Sequence, residues 1–82
     1  MSSILSKFLL IYKYMNEKFS TRLKELRMEL NISQQSLAKE IGVTQKAIDF
    51  WEKDINEPKA SYIIKLAKFF KVSTDYLLGI EN

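Results

Sequence analysis

Four side chains at the front of one short segment with helical apolar spacing carry groups able to recognise another molecule: Gln45, Lys46, Asp49 and Phe50. A glutamine amide offers a donor and an acceptor side by side, matching the N6 and N7 edge of adenine, and a lysine can donate to O6 and N7 of guanine. Asp49 can accept from cytosine N4 or repel a phosphate backbone, and Phe50 can touch a thymine methyl or belong to a protein interface. Gln45 and Lys46 could also be ordinary exposed residues; reading requires that the four be held on one edge. Covalent chemistry has less to work with. The chain has no cysteine and no histidine, so it lacks a thiolate, the usual zinc ligands and the usual neutral-pH base. With no nucleophile-base pair, metal cluster or glycine-rich phosphate loop, an enzyme is the weakest reading, and neither metal nor cofactor is expected.

The stretch that must hold this edge runs from Gln34 to Trp51. Leu37, Ala38 and Ile41 share one face of a short helix, Gly42 interrupts it, and Thr44, Ile48 and Trp51 restart the helical spacing. Two helices therefore meet at a sharp corner. Ala38 is small where they touch, Gly42 accepts a positive φ at the turn, and Val43 plugs the inside of the bend. Thr44 caps the second helix, which turns Gln45, Lys46, Asp49 and Phe50 outward while Ala47, Ile48 and Trp51 face or approach the core. Thr44 is also a candidate for a phosphate or a thymine methyl. Ser33 caps the first helix, and Gln34 stands in its first turn, where free backbone amides and the positive dipole end suit a phosphate. Gln34 is thus a candidate phosphate anchor, or simply a tolerated polar residue.

Length and composition frame this motif. Eighty-two residues with 46% hydrophobic content can enclose one small core, and the net charge of +3 leans mildly toward an anionic partner. Between Asn31 and Ala60, however, four lysines stand against five acidic residues, which predicts weak, strongly salt-dependent DNA binding by one protomer. Upstream of the motif, Ser20 is placed to cap a helix with Leu23, Leu26 and Leu30 on one side; Asn31 closes it and Ile32 turns inward. Downstream, Pro58 closes a loop, and the next helix starts near Ala60 or Ser61. Lys53, Asn56 and Lys59 would lie beside the DNA backbone if the preceding helix entered the groove, whereas Ile55 suits local packing or a dimer contact. Ile63, Ile64, Leu66, Ala67 and Phe70 then give a core helix with Lys65, Lys68 and Lys71 in solvent. Val72 plugs the following turn, Ser73 caps a last helix and Gly79 ends it.

Residues 1–18 are the least expected part. Ile4, Phe8, Ile11 and Met15 recur at helical spacing, widened by Leu5, Leu9 and Tyr12, which predicts an amphipathic helix with a broad apolar face. The run is too short for a bilayer span and leads to no secretory cleavage site. Such a face is left with three uses: dimerisation, packing on its own domain, or lying at a membrane surface. Met15 is an alternative start.

Ser33-Gln34, LAKEIGV, Thr44-Gln45, Ile48, Trp51-Glu52, Pro58 and IIKLAKFFKVSTDYLLG together resemble the phage repressor and Cro-like helix-turn-helix family, the XRE type. The resemblance spans about Phe19 to Gly79. It implies an all-α fold: a five-helix repressor-like domain over 19–79, with the amphipathic helix of 1–18 added before it and a short tail at 80–82. It further implies a sequence-specific regulator of transcription, repressor-like, that binds double-stranded DNA as a homodimer on a palindromic operator, with residues 1–18 as one route to the dimer. A cytoplasmic location fits the absence of cysteine. By the same resemblance, Arg27 pairs with Glu52 and Gln34 contacts phosphate. The chain departs from the family's habit at Asp49 and Phe50, where arginine or serine is common, and at Lys59, where a serine cap is usual. Phe50 and the apolar face of residues 1–18 keep a second reading open, an antitoxin-like or adaptor module that retains the fold as a protein-interaction surface.

Overall fold

The computed structural model describes residues 19–80, which form five helices and no strand. The described part of α1 covers 19–29. It is followed by α2 (Gln34–Ile41), α3 (Gln45–Glu52), α4 (Ala60–Phe70) and α5 (Thr74–Leu78). Each element contributes to the core: Phe19 and Leu23 from α1, Leu37, Ala38 and Ile41 from α2, Ile48 and Trp51 from α3, Leu66, Ala67 and Phe70 from α4, and Leu77 from α5. No single helix could hide its apolar face alone; the five together enclose one core. Trp51 and Tyr62 meet at a ring distance of 5.8 Å, tying α3 to α4. Across the other end, Arg22 lies 4.1 Å over the Tyr76 ring and donates from Nη1 to the Tyr76 carbonyl at 2.6 Å, fastening α5 to α1.

Three helices begin on the caps their sequences call for. The hydroxyls of Ser33, Thr44 and Ser73 accept from the backbone N–H of Ser36, Ala47 and Tyr76, satisfying donors that have no partner inside the helix. Lys59 precedes α4 without a side-chain cap.

All five helices end the same way. A residue in the left-handed region follows each one: Asn31, Gly42, Asp54, Lys71 and Gly79, with φ of 57°, 86°, 59°, 59° and 81°. The next residue is always isoleucine or valine, and its N–H reaches back to the carbonyl five residues earlier. These bonds are Ile32 to Arg27, Val43 to Ala38, Ile55 to Phe50, Val72 to Ala67 and Ile80 to Asp75. This is the geometry in which the apolar residue after the stop normally packs back on the helix. Ile32, Val43 and Val72 do pack on the core, whereas Ile55 and Ile80 stay 57% and 59% exposed.

The structure corrects three expectations. Ser20 does not cap α1: it is buried and lies within the helical run, because Phe19 before it is already helical. Leu30 is not in the core. It falls in the turn beyond the last residue of α1, at 52% exposure, and the inward place passes to Ile32 once the chain reverses at Asn31. Ile64 also faces out, since Ile63, Leu66, Ala67 and Phe70 complete the inner face of α4 without it. The amphipathic helix expected over residues 1–18 lies outside the described residues.

Candidate functional site

The corner between α2 and α3 is built from few atoms. The Ala38 carbonyl accepts from both the Gly42 N–H, at 2.8 Å, and the Val43 N–H, at 3.0 Å, closing α2 within one turn. A methyl group on Gly42 would meet nothing within 4 Å, so the glycine is required by its φ of 86° and not by space. Val43 is half-buried in the bend, and two residues later Gln45 opens α3 behind its cap, Thr44. Ile48 and Trp51 anchor α3 in the core, which fixes the rotation of the helix. That rotation leaves Thr44, Gln45 and Lys46 exposed in a row at its start. The Gln45 side chain makes no hydrogen bond to any described residue; its donor and acceptor both remain available. Lys46 sits 5.3 Å from the Phe50 ring centroid, one turn along, and Phe50 is half-buried. Thr44 Oγ accepts the cap bond from the Ala47 N–H, which leaves its hydroxyl hydrogen to donate outward.

The far end of α3 is organised differently. Arg27 Nε and Nη2 donate to the two oxygens of Glu52 at 2.6 and 3.0 Å, a bidentate fork, and Arg27 Nη1 donates to the Ile32 carbonyl at 2.9 Å. The Glu52 side chain is only 3% exposed, so the pair is taken out of water and its geometry carries weight. The hydrogen bond to Glu52 holds the Arg27 guanidinium above its ordinary pKa, against the opposing pull of burial. Gln34, at the start of α2, directs its amide nitrogen across the corner to Asp49 Oδ1 and Glu52 Oε1, both at 3.1 Å. Asp49 also pairs with Lys53 at 3.0 Å, one turn on. The Lys53 ammonium first, and the Gln34 amide second, hold the Asp49 carboxyl below the usual carboxylate range.

The expected site residues therefore fall into three groups. Thr44, Gln45, Lys46 and Phe50 form one continuous edge. Arg27, Gln34, Asp49, Glu52 and Lys53 form a closed polar network that joins α1, α2 and α3. Lys59 and Asn56 join neither: Lys59 is exposed ahead of α4, and Asn56 lines a cavity with Phe19 and Ile80. The Gln34 amide, expected to face a phosphate, is directed to the two carboxylates. A phosphate at the start of α2 would be met by the remaining backbone N–H groups, or would have to draw the amide from its present partners. Both the Lys46–Phe50 and the Asp49–Lys53 contacts join residues four apart, a spacing visible in the sequence although each residue reads there as facing outward alone.

Comparison with known proteins agrees with this geometry. A family profile described as helix-turn-helix matches residues 23–77. The HTH-type transcriptional regulator ImmR of Bacillus subtilis is 34% identical over 61 residues, 74% of this chain and 48% of that protein. Repressor protein C2 of Salmonella phage P22 is 39% identical over 57 residues, 70% of this chain and 26% of the repressor. An uncharacterized HTH-type transcriptional regulator of Archaeoglobus fulgidus is 36% identical over 55 residues, 67% of this chain and 78% of that protein. The chain thus spans half or less of the length of ImmR and of C2. Among solved structures, the crystal structure of the P22 c2 repressor in complex with a synthetic operator superposes with a TM-score of 0.73 and 35% identity, over 77% of this chain and 96% of that one.

Proposed function

The chain belongs to the helix-turn-helix family, and on that premise we propose that it is a sequence-specific, repressor-like regulator of transcription that reads double-stranded DNA with α3. The observation that carries this reading is the exposed start of α3. Gln45 and Lys46 are held outward by the buried anchors Ile48 and Trp51, on a helix narrow enough for the major groove. Gln45 is suited to adenine and Lys46 to guanine, with Phe50 beside Lys46 to exclude water or meet a thymine methyl. Asp49 would meet cytosine through the carboxylate lone pairs that Lys53 and Gln34 leave over. Phosphate contacts fall to the Thr44 hydroxyl, the start of α2 at Gln34, and Lys53, Asn56 and Lys59 on the following loop. The superposing P22 c2 repressor is in complex with an operator, and that likeness supports the same class of ligand here.

Two protomers bound side by side would place their reading helices about 34 Å apart, one turn of duplex, so the operator would be two-fold in sequence. Occupying such a site within a promoter would block polymerase, and a cytoplasmic location follows from that role. Selection of bound duplexes from a random pool, repeated over a salt series, tests the proposal. A recovered two-fold motif and a steep fall of affinity with salt are expected. Recovery of no preferred sequence would favour the adaptor reading, in which the fold serves a protein partner.

A further inference from the structure

We propose that Gln34 and Lys53 form one phosphate clamp, occupied in the free chain by the Asp49 carboxylate, so that the DNA backbone binds there by taking the place of Asp49. The inference rests on the DNA-binding reading above and joins in a single site two contacts that belong to different elements.

Gln34 opens α2 and Lys53 follows α3, yet both meet the same carboxylate. Gln34 Nε2 donates to Oδ1 at 3.1 Å, and Lys53 Nζ lies 3.0 Å from Oδ2. An amide and an ammonium that converge on two oxygens of one anionic centre are also arranged for a phosphate diester, which presents two such oxygens on one atom. The second amide hydrogen of Gln34 goes to Glu52 Oε1, also at 3.1 Å, so both of its donors are engaged in the free chain. A phosphate can therefore reach the Gln34 amide only by exchange.

The two carboxylates differ in how readily they let go. Glu52 is 3% exposed and keeps both oxygens on the Arg27 fork, at 2.6 and 3.0 Å, whether or not Gln34 stays. Asp49 is 29% exposed and its partner Lys53 63%, so the carboxylate can turn to water and the ammonium can follow an incoming anion. A solvated ion pair holds weakly, and a polyanion that releases counterions on binding competes well for its cation. Position agrees: Gln45, Asp49 and Lys53 recur every four residues, which places the clamp one to two turns beyond the reading edge. A helix fills the width of the major groove, so the phosphates of the groove walls lie against its flanks.

The exchange has a consequence for discrimination. Once displaced, Asp49 stands beside the phosphate that replaced it, which weakens every sequence-independent contact at this site. Only a cytosine within reach offsets part of that loss, by donating from N4.

Anisotropy of a labelled duplex of random sequence, titrated with the full chain at low salt, tests the clamp. Asp49→Ala should tighten binding roughly fivefold, and Asp49→Asn, which keeps an acceptor for Gln34 but drops the charge that holds Lys53, should do so by less. Removing a negative charge near DNA strengthens binding in any case, so the decisive measurement is the coupling. In the background Gln34→Ala/Lys53→Met, adding Asp49→Ala should change affinity by less than about twofold. An equal gain in both backgrounds would mean general repulsion and would overturn the inference, as would no gain from Asp49→Ala in the parent. Circular dichroism checks that each variant is folded, and Asp49→Asn carries the same comparison should Asp49→Ala lose helical content. In either failure a preferred sequence would still be selected from a random pool, and the DNA reading would stand. If neither the parent nor any variant binds duplex, the DNA reading fails and the clamp with it.

Discussion

The two halves of α3 do opposite work within eight residues. At its start, Gln45 and Lys46 stand in solvent, and Gln45 has no hydrogen-bond partner among the described residues. At its end, Asp49 and Glu52 are held by Gln34, Arg27 and Lys53 in a network that spans three helices. Opposite charges and amides are thus bound up where the helix must be rigid, and a donor-rich edge is left open where it would meet a ligand. The lesson is that exposure and polarity alone do not mark a reading residue. Asp49 and Gln45 look alike in the sequence, yet Asp49 already holds Gln34 and Lys53, while the Gln45 side chain keeps all of its hydrogen-bonding capacity for another molecule.

Substitutions can break this contrast from either side. The largest effect is expected at the closed end: Arg27→Ala should cost about 3 to 5 kcal/mol of stability by urea denaturation, because Glu52 is left buried and unpaired. Arg27→Met combined with Glu52→Leu should recover most of that loss. At the open end, Gln45→Ala and Lys46→Ala should each remove roughly 1 to 3 kcal/mol of discrimination between operator and mismatched duplex, with stability within about 0.5 kcal/mol of the parent. If either variant instead unfolds the domain, the two halves are not separate. Gln34→Ala sits between them and should cost about 1 to 2 kcal/mol of stability, since both its bonds go to carboxylates. Whether duplex affinity falls further than stability accounts for decides if Gln34 also serves a phosphate.

Asp49→Asn gives the smallest and most pH-dependent change. The folded Asp49 carboxyl lies below its usual range, so its contribution is present above the unfolded value of about 3.9 and is lost as pH falls through the folded one. The stability gap between parent and variant, followed by denaturation from pH 7 downward, should therefore close in acid. A gap that widens there would mean the Lys53 and Gln34 bonds do not form in solution.

Much of the architecture was legible because it is written locally. Ser33, Thr44 and Ser73 mark helix starts by their own chemistry, and Gly42 and Gly79 mark stops by their freedom at positive φ. Helical spacing alone identified Leu23, Leu37, Ile48 and Leu66, all fully buried. What escaped depends on parts of the chain that meet only in space. Nothing near Gln34 announces two carboxylates fifteen and eighteen residues away. Ser20 resembles a cap only if the helix is assumed to start there, and the left-handed stop at Lys71 is set by the helix it ends, since lysine does not favour that conformation. The Arg27–Glu52 pair was reached through resemblance, because no pattern in one sequence couples residues so far apart.

The shared form of the five stops bears on how quickly the chain finds its structure. Each is completed within six residues, so the contacts that end the helices are local in sequence. Contacts between near neighbours lower the contact order, and helical chains rich in them fold quickly.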